Sequence, residues 1–175
     1  ALKVISRGFD TPTPIAYIET KKNGLLKDSY FVSMKSTYTH LFREFVDIDI
    51  KGKEHIIEAL GKYVAKMQEK EILHLDLSIG NILFEDTSNG VLFSIIDINR
   101  MKFCPINQEL GCKNFERLRG RKEFFETLAK GYAIERGFNI EKCTELILKY
   151  NNKHIIKFEK RKRFKQKRKA RKNKS

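Results

Sequence analysis

Between residues 54 and 70, apolar side chains recur at Ile57, Leu60, Val64 and Met67. This three-and-four spacing marks one helical face, so a helix with that face in the core is predicted. The earlier pattern is different: residues 15–19 and 29–34 are rich in Ile, Tyr, Phe and Val, and Lys21-Lys22-Asn23-Gly24 between them supplies turn chemistry. An antiparallel hairpin is expected there, preceded by a loop at Gly8, Pro12 and Pro14 that follows a short helix end over residues 1–6. The apolar runs 82–84 and 91–96 flank Asn89-Gly90, which signals a second hairpin whose outgoing strand delivers Asp97. Phe115, Leu118, Phe125, Leu128 and Tyr132 fall on one side of helical sequence that Gly137 terminates. A last helix is predicted from near Asn139 through Ile147 into the C-terminal segment. The aromatic series Phe115, Phe124, Phe125 and Tyr132 reads as core packing.

Composition supports one core with an appendage. The 175 residues are 41% hydrophobic and 33% charged, enough apolar material for a packed interior. The net charge of +14 is uneven, because residues 153–175 carry 13 Lys or Arg against Glu159 alone. The rest of the chain is close to neutral, and the basic segment is expected to be solvated, disordered or surface-bound, since like charges at that density repel one another. No apolar run approaches the roughly 20 residues of a membrane-spanning helix. No secretory signal is recognisable at the start. Cys104, Cys112 and Cys143 form an odd set without a C-x-x-C pair, so they are read as reduced thiols rather than a disulfide framework or a zinc site. His40, His55 and His154 lack ligand spacing and read as surface histidines.

A polar cluster embedded in apolar sequence, Ile72-Leu73-His74-Leu75-Asp76-Leu77-Ser78-Ile79-Gly80-Asn81-Ile82, must be hydrogen-bonded or functional. Asp76, Asn81 five residues later, and Asp97 across the second hairpin provide a carboxylate, an amide oxygen and a second carboxylate. Phosphoryl transfer asks for such a set: one group to orient and deprotonate a hydroxyl, and hard oxygen ligands for Mg²⁺. Asp76 is the candidate catalytic base, Asn81 and Asp97 are the candidate metal ligands, and His74 is expected to brace the loop. Taken one at a time, these residues are also common turn formers. Arg100 is left equally between a functional reading, as partner of a phosphate or of the candidate catalytic carboxylate, and a structural one beside two acids.

His74-x-Asp76-x-x-x-x-Asn81 resembles the catalytic loop of protein-kinase-like enzymes, and Asp97-Ile98-Asn99-Arg100 resembles their metal-binding segment. With Ser78, Gly80 and the continuation Met101-Lys102-Phe103, the likeness is strongest to the lipopolysaccharide kinase (Kdo/WaaP) family, over roughly residues 1 to 150. The resemblance implies an α+β protein-kinase-like fold with a mostly helical large lobe over residues 37–152 and a partial small lobe and connector over 1–36. No Gly-rich phosphate loop and no Val-Ala-x-Lys strand precede Pro12, so the first small-lobe strands and the phosphate-gripping lysine are not expected in this chain. It implies ATP and Mg²⁺ as cofactors, adenine held by the backbone at Val32, Ser33 and Met34, and Ser78 beside the nucleotide. It also implies a Kdo, heptose or other sugar hydroxyl of the lipopolysaccharide core as acceptor. A cytoplasmic enzyme, peripheral on the inner face of the inner membrane, is then expected, its basic segment on anionic lipid in preference to nucleic acid. Phe158 and Phe164 would add shallow apolar anchoring. The alternative is a non-catalytic kinase-like binding module with a basic tail for anionic membrane or nucleic acid.

Overall fold

The structure is a computed structural model and describes residues 1–46 and 48–172. A single helical turn, α1 (Leu2–Ile5), leads through the predicted loop into β1 (Pro14–Lys22) and β2 (Leu25–Ser33). These strands pair antiparallel, with Lys22 opposite Leu25. Asn23 and Gly24 both take positive φ, 54° and 76°, which is what a two-residue hairpin turn matching strand twist requires. The hairpin buries little of itself: Tyr17, Ile18, Tyr30 and Phe31 are all at least half exposed. Its stem is tied down instead, where the Ile95 N–H donates to the Asp10 carbonyl at 3.1 Å and the buried Thr11 hydroxyl donates to the Ile95 carbonyl at 2.7 Å.

After β3 (His40–Leu41) and a tight turn come α2 (Glu54–Glu69) and β4 (Ile72–His74). The second hairpin is β5 (Ile82–Thr87) and β6 (Gly90–Ile95), with β3 on the outer side of β5. Its loop is Ser88-Asn89 rather than Asn89-Gly90, because Thr87 pairs with Gly90; Gly90 opens β6 at φ 117°, a value that glycine reaches without steric cost. Then follow β7 (Met101–Phe103), α3 (Gln108–Lys113), α4 (Lys122–Arg136) and α5 (Ile140–Lys172). Phe115 and Leu118 are buried as expected, although they sit in and just after a 3₁₀ turn, Asn114–Arg117, and not in a longer helix. Gly137, in the left-handed region, ends α4 as predicted. Asn139 accepts the Lys142 N–H at 2.8 Å and starts α5.

α2 and α4 form the centre of the helical part. Their backbones touch through two facing glycines: a Cβ on Gly61 would run into the Leu128 carbonyl and one on Gly131 into the Glu58 carbonyl. Phe124, Phe125, Leu128 and Tyr132 of α4 are buried, and Phe42, Phe45, Phe84 and Phe93 continue the aromatic core towards the second hairpin. The last helix runs from Ile140 to Lys172 and so enters the basic segment, as its predicted course into the C-terminal segment has it. Lys, Arg, Gln and Ala are all good helix formers and no Gly or Pro interrupts them. Residues 173–175 of that segment lie outside the described residues. Cys112 and Cys143 are buried, Cys104 is half-buried, and all three are free thiols. Among the described residues no helix is long and apolar enough to cross a membrane.

Candidate active site

The loop between β4 and β5 carries His74, Asp76 and Asn81, and the end of β6 carries Asp97. Two pairings bring the segments together: β4 lies antiparallel to β7, with His74 opposite Met101, and β5 lies antiparallel to β6, with Ile82 opposite Ile95. Both candidate segments therefore emerge side by side.

Hydrogen bonds then fix the loop. The Asp76 N–H donates to His74 Nδ1 at 3.0 Å, and His74 Nε2 donates to the Ile96 carbonyl at 3.2 Å. One neutral tautomer, with the proton on Nε2, satisfies both partners. Burial pushes the His74 imidazole below its ordinary value, which favours that neutral form. His74 thus links the backbone of Asp76 to that of the residue before Asp97, the bracing role expected from sequence. Asn81 Nδ2 donates to the Asp76 carbonyl at 2.9 Å, while the Asn81 carbonyl accepts the Ile96 N–H at 3.0 Å. Asp76, Asn81 and Asp97 are accordingly brought together by one frame.

The donor set fits Mg²⁺. The bond to the Asp76 carbonyl uses the nitrogen side of the Asn81 amide and leaves Oδ1 without a donor among the described residues. Asp97 is exposed, and its backbone is left-handed at φ 54°, ψ 53°. A non-glycine residue held there is uncommon, and such conformations gather at functional sites. Among the described residues its Oδ1 accepts only the Asn99 side chain, at 3.2 Å. An amide oxygen and a carboxylate are hard ligands of the kind Mg²⁺ prefers, with phosphate oxygens completing the shell.

Two arginines hold the Asp76 carboxylate. Arg117 Nη1 is 2.5 Å from Oδ1, and Arg100 Nη1 is 3.7 Å from Oδ2. Arg100 is therefore placed on the Asp76 carboxylate. Arg117 was not foreseen, and neither was Asn114, whose Nδ2 donates to the His74 carbonyl at 2.7 Å. Both belong to the 3₁₀ turn before α4, far along the chain, and no local spacing announces them. Ser78 accepts the Asn81 N–H through its carbonyl at 2.9 Å and lines, with Asn81 and Arg43, a cleft of about 570 Å³.

Val32, Ser33 and Met34 lie apart from that frame, at the end of β2. The Met34 N–H donates to the Thr13 carbonyl at 2.8 Å, so Pro14 and Ser33 form a non-hydrogen-bonded pair. The N–H and C=O of Ser33 then face away from β1, towards an edge that no other described strand covers. Of the remaining histidines, His40 and His55 are exposed beside Glu44 and Asp86, whereas His154 is half-buried 3.9 Å from Glu116 and lines the same cleft as Asn81.

The sequence profile of the lipopolysaccharide kinase (Kdo/WaaP) family matches residues 3–145. The chain belongs to that family. Among solved structures, this Kdo/WaaP family member resembles WaaP in complex with acyl carrier protein, with a TM-score of 0.64 at 16% identity, covering 87% of this chain and 71% of the other. The likeness shows a shared α+β protein-kinase-like fold, in which the helical part with its loop is the large lobe and the β1–β2 hairpin belongs to a partial small lobe. The Rio2 kinase–ADP/Mg²⁺–phosphoaspartate complex from Chaetomium thermophilum matches with a TM-score of 0.44 at 15% identity, covering 91% of this chain and 51% of the other. No curated protein matches the sequence.

Proposed function

We propose that this Kdo/WaaP family chain is an ATP-dependent phosphotransferase that moves the γ-phosphoryl group onto a sugar hydroxyl of the lipopolysaccharide core. The observation that carries the reading is the single hydrogen-bonded frame around Asp76, Asn81 and Asp97, built on His74. Family membership supports the reaction class.

In this reading Asp76 accepts the proton of the attacking hydroxyl and aligns it. Arg117 and Arg100 keep its carboxylate in place. Asn81 Oδ1 and the Asp97 carboxylate would hold Mg²⁺, which when bound neutralises charge on the phosphate oxygens. The outward N–H and C=O of Ser33, between Val32 and Met34, are the backbone groups offered to adenine, and Ser78 stands beside Asn81 near the phosphates. The basic C-terminal helix would bring the enzyme to the cytoplasmic face of the inner membrane, where anionic lipid attracts Lys and Arg.

Calorimetric titration with ATP in the presence of Mg²⁺ tests the nucleotide site. Wild type should bind, and Asp97→Ala should weaken binding at least roughly tenfold, the loss expected for one charged ligand at about 1.4 kcal/mol. Equal affinity in the two proteins would contradict the metal assignment.

A further inference from the structure

Gln68, in the last turn of α2, is buried although its side chain is polar. A buried amide has to find partners for both its ends, and Gln68 does. Its Oε1 accepts the Tyr132 hydroxyl at 2.7 Å and Arg136 Nη1 at 3.2 Å, both from α4. Its Nε2 donates to the Gly111 carbonyl at 3.3 Å and to Asn114 Oδ1 at 3.4 Å. The orientation of this amide is forced by its partners. A guanidinium can only donate and a carbonyl can only accept, so the oxygen must face Arg136 and the nitrogen must face Gly111. Gly111 leaves room for the arrangement, since a Cβ there would run into the Tyr132 hydroxyl and the Gln68 amide oxygen.

That orientation passes on to Asn114. Because Gln68 presents N–H, the side of the Asn114 amide turned to it must be oxygen, and Nδ2 is thereby aimed at the His74 carbonyl, to which it donates at 2.7 Å. Reversing the Asn114 amide would set nitrogen against nitrogen and oxygen against carbonyl oxygen, so that two bonds become two repulsions. His74 in turn accepts the Asp76 N–H at Nδ1. A directed series of hydrogen bonds thus runs from α4 through α2 and the 3₁₀ turn to the backbone of the candidate base. We propose that Gln68 is a positioning residue for phosphoryl transfer, acting through Asn114 to hold the loop that carries Asp76. The inference deepens the phosphotransferase reading, and the part of Gln68 in turnover rests on that reading. Gln68 does not line the cleft beside Asn81, so its influence on the reaction has to travel through these bonds.

The test uses Gln68→Met, Gln68→Glu, Asn114→Ala and the double variant Gln68→Met with Asn114→Ala, with folding checked by circular dichroism. Each is measured for hydrogen exchange of the Asp76 amide, for affinity towards ATP with Mg²⁺, and for kcat of γ-phosphate transfer to a lipopolysaccharide-core oligosaccharide. Gln68→Met keeps the length of the side chain and removes every bond. Gln68→Glu keeps the acceptor for Tyr132 and Arg136 but turns an oxygen on Asn114, and it carries the test if Gln68→Met does not fold. In both, exchange at Asp76 should quicken about tenfold or more as the loop opens locally, and kcat should fall by about tenfold or more, as loss of positioning does, with nucleotide affinity unchanged. Asn114→Ala should do the same. The double variant should lose no more than Asn114→Ala alone, because residues acting in series are not additive. A Gln68 that only ties α2 to α4 would lower the melting temperature and leave Asp76 exchange and kcat as in wild type, which would overturn the inference. Losses that multiply in the double variant would overturn it too, since Gln68 would then act by a route other than Asn114. Unchanged exchange at Asp76 with normal transfer by wild type defeats this inference alone, whereas absence of transfer by wild type defeats the phosphotransferase reading and with it the part of Gln68 in turnover.

Discussion

Arg117 Nη1 lies 2.5 Å from Oδ1 of Asp76, so the candidate base is held by a guanidinium from a 3₁₀ turn that follows it by several elements. The Asp76 side chain is only 19% exposed, and a carboxylate so enclosed keeps one orientation only while that partner is present. Arg117→Ala should therefore lower kcat on the order of tenfold or more, as loss of positioning does, with nucleotide affinity unchanged. Arg117→Lys keeps the charge without the planar fork and should recover part of the rate. Steady-state kinetics of the three proteins, with nucleotide affinity measured separately, checks this. A kcat equal to wild type in Arg117→Ala would remove Arg117 from the site.

His74 gives a pH dependence of definite sign. Burial lowers its folded-state value below the ordinary 6.5, so as pH falls through 6.5 the unfolded chain takes up a proton that the folded chain refuses. Its share of stability is whole above about pH 6.5 and declines as pH falls towards the folded value. His154, lowered mainly by burial as well, contributes in the same direction. His74→Gln should flatten the curve of denaturation midpoint against pH below 6.5 and leave the part due to His154. Identical slopes in wild type and variant would show that His74 does not titrate in this way.

The α2–α4 contact makes a separate demand. Because a Cβ at Gly131 would meet the Glu58 carbonyl of α2, Gly131→Val must push the helices apart. A loss of about 2 kcal/mol or more is expected, the cost of overpacking a tight contact. Thermal unfolding should show it as a drop of several degrees. Unchanged melting would mean that the two helices separate without cost.

Much of this was legible beforehand for particular physical reasons. The first hairpin was announced by Asn23-Gly24, whose two positive φ angles follow from turn chemistry. Asp76, Asn81 and Asp97 were announced by spacing within two short segments. β4 and β7 were not: three-residue strands are too short to show a period, and their pairing depends on contacts made across the chain. Arg117 and Asn114 were hidden for the same reason, since Asn114-Phe115-Glu116-Arg117 reads as ordinary polar sequence until the fold sets it under the Asp76 loop. The last helix was legible as far as its entry into the basic segment, whose Lys, Arg, Gln and Ala are good helix formers.

The most direct measurement is transfer of radiolabelled γ-phosphate from ATP to a lipopolysaccharide-core oligosaccharide by wild type and by Asp76→Asn. Asparagine keeps the size of the side chain but cannot take up the hydroxyl proton. Turnover should fall roughly 10²- to 10⁴-fold, the range for loss of a general base, while nucleotide affinity stays as in wild type. Turnover by Asp76→Asn equal to that of wild type would contradict the assignment of Asp76 as the base on which the proposed function rests.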